Sequence, residues 1–179
     1  MKMSEKPKKK ILIMGLDNVG KTCIVYCLKG IKNLMSFVRL NPTRGINIDT
    51  FEALGAEYTV WDFGGQEQFR DTHIMNLENH IIGADKIIYV IDVQNPERFE
   101  LALQFLKKIV DTMQEGNHKV PFSVFLHKWD PDLNVMKRSI DEDKVNLLIQ
   151  NVKDLIPKDL PYKFQKTSIY TVFEKSDIP

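Results

Sequence analysis

The sequence predicts an α/β fold, a three-layer α/β/α domain on a six-stranded, mainly parallel sheet with one antiparallel edge strand. Apolar strand-like runs alternate with amphipathic helical stretches along the chain, which is the pattern of strands linked by crossover helices. Two of the strands are so close in sequence that they read as an antiparallel hairpin. Lys86 to Asp92 is almost continuously apolar, as expected of a strand covered on both faces. A chain of 179 residues suits one such domain with a real core and is short for two. The expected division is a basic leader over residues 1–9 and a single domain over 10–179.

Lys10 to Met14 reads as the first buried strand, and the segment after Lys21 as a helix through Lys29. Ile46 to Leu54 and Glu57 to Phe63 make the hairpin, which turns near Gly55. Pro96 is expected to open a long helix carrying Phe99, Leu103, Leu106, Ile109, Val110 and Met113 at helical spacing, stopping near Gly116. Pro121 to Leu126 reads as the next strand. Asp141 to Ile156 reads as a helix with Val145, Leu148, Ile149, Val152 and Leu155 on one face, and Tyr162 to Lys166 as the last strand. Two stretches, Ile31 to Gly45 and Gly64 to about His73, lack clean periodicity. Loops of that length inside a compact domain are usually functional.

The 43% hydrophobic and 27% charged fractions are those of an ordinary globular protein. Lys+Arg 25 against Asp+Glu 24 leaves a formal charge of +1, so no nucleic-acid partner is expected. The basic residues Lys2, Lys6, Lys8, Lys9 and Lys10 read as a solvated leader, or as a weak contact to an anionic membrane. No apolar run approaches the roughly 20 residues that span a bilayer, and no signal peptide is evident, so a cytoplasmic location is expected. Lys2 is not the glycine that myristoylation needs, and Asp177-Ile178-Pro179 offers no prenylation cysteine. Membrane contact would therefore be indirect or through the lysines. Cys23 and Cys27, four apart on one helix, read as small buried apolar residues.

Gly15-Leu16-Asp17-Asn18-Val19-Gly20-Lys21-Thr22 fits G-x-x-x-x-G-K-[ST] between a strand and a helix. Its glycines let backbone N–H groups wrap phosphates, and the helix N-terminus adds partial positive charge. The Lys21 ammonium can reach β- and γ-phosphates, and the Thr22 hydroxyl suits Mg2+. Trp61-Asp62-Phe63-Gly64-Gly65-Gln66 ends another strand. Asp62 is placed to hold Mg2+ through water, because Mg2+ keeps much of its hydration shell. The Gly65 N–H can meet a γ-phosphate, and Gln66 can orient an attacking water.

With both motifs in place the chain resembles the Ras superfamily of small GTPases from about Lys8 to Ile169. Gly-Leu-Asp at 15–17 and Trp-Asp-Phe-Gly-Gly-Gln at 61–66 are closest to its Arf and Rag/Gtr branches. The resemblance implies GTP and GDP as ligands, with nucleotide contacts from Asp17, Asn18, Val19 and Gly20 through Lys21, Thr22 and Cys23. Lys21, Gly65 and Gln66 would serve catalysis. Thr43, in Pro42-Thr43-Arg44-Gly45, matches the family's mobile threonine, a second Mg2+ ligand and γ-phosphate sensor beside Thr22 and Asp62. His127-Lys128-Trp129-Asp130 stands where the family has Asn-Lys-x-Asp. Asp130 would accept from N1–H and N2–H2 of guanine, while the Lys128 stem lies over the base. His127 replaces an amide, which is itself a Rag/Gtr trait. Thr167-Ser168-Ile169 resembles the last guanine motif, with Ser168 and Ile169 as contacts.

Asp17 is a departure, a carboxylate beside a triphosphate that must turn away or find another partner. Rag/Gtr proteins also carry a further partner-binding domain. Only residues 172–179 remain here for a final helix, which suggests a trimmed or minimal member. The cycle implied is GTP binding with Mg2+, ordering of loops around 36–45 and 63–75, slow hydrolysis and release of those loops. Arg39 and Arg44 read as solvated charges, so a partner would supply any arginine finger. Effector, exchange and activating proteins are the expected partners, with pairing to a related GTPase also open. The alternative is a nucleotide-binding module without turnover that serves protein interaction.

Overall fold

The computed structural model describes residues 6–31, 36–37, 40–130 and 140–169. Six strands form one sheet in the order β2-β3-β1-β4-β5-β6. They are β1 (Lys8–Gly15), β2 (Ile46–Ala53), β3 (Ala56–Phe63), β4 (Lys86–Asp92), β5 (Phe122–His127) and β6 (Tyr162–Thr167). Only the β2–β3 pair is antiparallel, with Ile46 opposite Phe63 and Ala53 opposite Ala56, and the other four pairings are parallel. The three-layer arrangement with one antiparallel edge strand is therefore present. β1 begins two residues inside the expected leader, because Lys8 and Lys9 already pair with Glu57 and Tyr58.

Helices α1 (Lys21–Leu28), α2 (Glu67–Met75), α3 (Leu77–Ile81), α4 (Phe99–Glu115) and α5 (Glu142–Leu155) surround the sheet. The central strands are buried, with Leu12, Ile13 and Met14 of β1 and Ile87 to Ile91 of β4 enclosed. α4 covers them with Ala102, Phe105, Leu106, Ile109, Val110 and Met113, the face its spacing predicts. Leu103 is only partly buried. α5 buries Val145, Leu148 and Val152, and its N-cap Asp141 accepts from the Lys144 N–H at 3.1 Å.

Three expectations are corrected. Pro96 opens a 3-10 turn over Pro96–Arg98, and α4 proper starts at Phe99. The stretch read as aperiodic from Gly64 to His73 contains α2, whose polar turns bury only His73. Cys23 is half-buried and Cys27 exposed, so the cysteines are not core residues. They lie on the outer part of α1, where burial falls to Lys21, Ile24 and Val25. Arg39, the start of the loop expected around residues 36–45 and the terminal segment 172–179 are wholly or partly outside the described residues.

Candidate functional site

The C-terminal ends of β1 and β3 carry the two loops that build the site, as expected at the carboxyl edge of a parallel sheet. Between them lies a cleft of about 280 Å³. Asp17, Asn18, Gly20, Lys21, Thr22, Cys23, Thr43, Gly65 and Gln66 all line it. Val19 is buried beneath the loop instead. The first turn of α1 has no acidic residue of its own, which leaves its partial positive charge for an anion in the cleft.

Lys21 is 6% exposed, and its Nζ donates to the carbonyls of Gly15 at 3.1 Å and Leu16 at 2.6 Å. Burial pushes its ammonium down to about 8, partly offset by the nearby carboxylates of Asp62 and Asp17. A phosphate arriving here would favour the charged form further.

Beside it three oxygens converge. The Thr22 hydroxyl donates to Asp62 Oδ2 at 2.5 Å and the Thr43 hydroxyl donates to the same oxygen at 3.0 Å, with the two hydroxyls 3.0 Å apart. Asp62 is fully buried, and its Oδ1 has no hydrogen-bond partner among the described residues. Burial raises its carboxyl, against the hydrogen bond from Thr22 and the charge of Lys21. A buried carboxylate with a spare oxygen beside two hydroxyls is the hard-oxygen donor set that Mg2+ takes, so these residues fit the ion. No cluster of three or more His, Cys, Asp or Glu that could hold a metal ion occurs among the described residues.

The Gly64-Gly65 pair fits only as glycine. A Cβ on Gly65 would fall 2.2 Å from the Leu16 carbonyl carbon and 2.3 Å from the Asp17 nitrogen, inside the phosphate loop. One on Gly64 would meet the Thr43 carbonyl oxygen at 2.4 Å. The loop after β3 thus touches both the phosphate loop and the threonine loop. The Asp17 N–H donates to the Gly65 carbonyl at 3.1 Å, and the Gly64 N–H to that of Gly45 at 2.7 Å. Gln66 follows with a buried Oε1 that has no hydrogen-bond partner among the described residues, at the cleft wall. His73, buried on α2, has Nε2 3.1 Å from the Gly64 carbonyl and steadies this segment from behind.

Asp17 has found a partner that its position in the sequence does not disclose. Arg98 donates to the Asp17 carboxylate at 2.6 Å and to its backbone carbonyl at 3.0 Å. Arg70, whose guanidinium donates to the Gly65 carbonyl at 3.1 Å, stands 4.0 Å from the same carboxylate. Burial would raise the Asp17 carboxyl, but the hydrogen bond and charge of Arg98 outweigh it and hold it below its ordinary value. Neither arginine was legible as a site residue. Arg44 is exposed, as expected of a loop charge.

The base-side residues gather around β5 and β6. Ser168 donates its hydroxyl to Asp130 Oδ1. Lys128 Nζ donates to the Asn18 carbonyl at 2.9 Å and to Asp92 Oδ2 at 2.7 Å, linking this cluster to the phosphate loop. Ile169 is 39% exposed, at the rim. His127 lies beneath the phosphate loop, 1% exposed, with Nδ1 2.9 Å from the Thr167 hydroxyl. Its ring fills the space over Gly20, where a Cβ would approach within 2.8 Å, and Gly20 has φ +92°. Burial, with Lys128 adjacent, drives its imidazole down to about 4, so it is neutral at physiological pH.

A phosphate-binding loop, a hard-oxygen cluster and an Asp130 cluster on this sheet define a P-loop GTPase. The chain belongs to the ADP-ribosylation factor family: the sequence model of that family, Arf, matches residues 1–172. It is accordingly an Arf-like small GTPase, a GTP-binding switch and GTP hydrolase of the Ras superfamily. The fold is also that of the Arl6 (BBS3) small GTPase from Trypanosoma brucei, solved with the bound nucleotide analogue GppNp. The TM-score is 0.68 at 23% identity, over 90% of this chain and 87% of that one. No helix among the described residues is long and apolar enough to cross a membrane.

Proposed function

We propose that this chain binds Mg2+ and GTP across the cleft, hydrolyses GTP slowly, and reports its nucleotide state to protein partners through the loops around 36–45 and 63–75. The convergence of Thr22, Thr43 and Asp62 within 2.5–3.0 Å, at the end of a cleft lined by Lys21 and Gly65, carries this reading. Lys21 and the loop amides hold the phosphates. Thr22 and Thr43 would hold Mg2+, with Asp62 acting through water. The ion's contribution, when bound, is to neutralise charge building on the phosphate oxygens. The Gly65 N–H faces the γ-phosphate, and Gln66 orients the attacking water, a role of position rather than proton abstraction.

Asp130 selects guanine over adenine by accepting from N1–H and N2–H2, with Ser168, Ile169 and Lys128 forming the rest of the base pocket. His127 acts from below, as a support for the phosphate loop at Gly20 and not as a direct contact to the base. Because the Gly64-Gly65 segment touches the threonine loop as well as the phosphate loop, loss of the γ-phosphate would release the loops around 36–45 and 63–75 together. Effectors, an activating protein and an exchange protein would read that change. The domain begins with β1 at Lys8, after the first basic residues, and acts in the cytoplasm.

The test is a titration of GDP, GTP and ATP with and without Mg2+, followed by phosphate release from wild type and Gln66→Leu. Guanine selectivity, Mg2+ dependence and turnover lost by Gln66→Leu with binding retained are expected. A preference for ATP would overturn the role given to Asp130. Equal turnover in Gln66→Leu would overturn that of Gln66.

A further inference from the structure

Gln94 belongs to none of the motifs above, yet it sits at the centre of the base-side cluster. Its side-chain amide Nε2 donates to Asp130 Oδ2 at 2.8 Å and to the Lys128 carbonyl at 2.8 Å. Its own backbone N–H donates to Asp92 Oδ1 at 3.0 Å, while the other oxygen of Asp92 takes the Lys128 ammonium at 2.7 Å. Gln94 and Asp92 therefore close a ring around Lys128 and Asp130. Lys128 needs such support, since it holds φ +62°, a conformation costly for a residue with a side chain. The amide that grips its carbonyl is the group that also grips the base-reading carboxylate.

We propose that Gln94 is a positioning residue for guanine recognition. Resting on the reading of Asp130 given above, it fixes the rotation of that carboxylate so that both oxygens face the N1–H and N2–H2 donors. A carboxylate keeps lone pairs to spare after accepting from Ser168 on one oxygen and Gln94 on the other. The two protein donors hold its plane, and the remaining lone pairs stay available for the base. Without Gln94 the carboxylate is held on one side only, and guanine must order it on binding.

The experiment is a competition measurement of GDP and ADP affinity for the full chain, Mg2+ present, in wild type, Gln94→Ala and Gln94→Glu. Gln94→Ala is expected to weaken GDP about tenfold, the scale of a hydrogen bond to a charged group, and to leave ADP unchanged. Gln94→Glu keeps the shape, removes the donor and sets a second carboxylate against Asp130, so it should weaken GDP more than the alanine does. The ratio of GDP to ADP affinity is the readout that general loosening does not move. An equal loss for both nucleotides, or an unchanged ratio in a folded variant, would overturn the assignment. A wild type that fails to prefer GDP over ADP would instead overturn the reading of Asp130 itself, before Gln94 is tested.

Discussion

His127 offers a test whose size can be worked out beforehand. Its ordinary value is 6.5 and burial lowers it to about 4, so between those values the unfolded chain binds a proton that the folded one refuses. Stability therefore rises with pH across that window, and acidification from pH 7 to 5 should cost the fold about 2 kcal/mol through this group alone, with a limit near 3 kcal/mol below pH 4. His127→Asn removes the titrating ring and leaves an amide next to Thr167. Other groups also titrate in acid, His73 and His80 among them, since burial lowers both. They are common to both proteins and cancel in the difference. The assay is urea unfolding of nucleotide-free protein at half-unit intervals from pH 5 to 7.5. The variant will lose packing over Gly20 at every pH, but its stability should fall by about 2 kcal/mol less than wild type on going from pH 7 to 5. Parallel pH profiles would refute the argument, because they would mean that the ring is solvated or already protonated in the folded state.

The other predictions concern the cleft. Arg98→Ala frees the Asp17 carboxylate to oppose a γ-phosphate, so the preference for GTP over GDP should fall roughly tenfold in nucleotide competition, and Asp17→Ala in the same chain should restore most of it. Gly65→Ala drives a methyl into the phosphate-loop backbone, so single-turnover hydrolysis should drop by about 10² to 10³ while GDP binding persists. Asp62→Asn keeps the size and the contacts with Thr22 and Thr43 but loses the charge. The Mg2+ concentration needed to slow GDP release should rise about 10- to 100-fold, as for an outer-shell ligand.

The central strands β1, β4 and β5 could be read from the sequence because burial on two faces forces nearly continuous apolar runs. The exposed β2 was legible instead from the tight hairpin it makes with β3. The bounds of all six moved by no more than two residues. α2 could not be read in either way. A helix that buries only His73 shows no apolar stripe, and its segment reads as loop on any periodicity test. Residues of the phosphate loop and of the Asp62 loop announced themselves, because backbone wrapped around an anion demands glycines at fixed spacing. Arg98 and Gln94 gave no such signal. Arg98 stands 81 positions from Asp17 and Gln94 stands 36 from Asp130. Only the parallel pairing of β4 between β1 and β5 brings those ends together. The sequence did expose a need, a carboxylate where a triphosphate should lie, without disclosing what meets it.

These contacts make the turn after β4 a structural hub of the site. Lys128 reaches the Asn18 carbonyl, His127 packs beneath Gly20 and Arg98 holds Asp17, so the phosphate loop is fastened at three points within four residues. Two of the three depend on residues 92–98, because Asp92 anchors Lys128 and Arg98 closes the segment. Gln94, in the same turn, grips the base-side carboxylate. Base recognition and phosphate geometry thus draw on the same turn, through different side chains. Arg70 adds the third party, since one guanidinium meets the Gly65 carbonyl and lies 4.0 Å from Asp17. A movement of the loop after Gly65 would therefore be felt first at Asp17, which the Arg98 pair ties to the turn after β4.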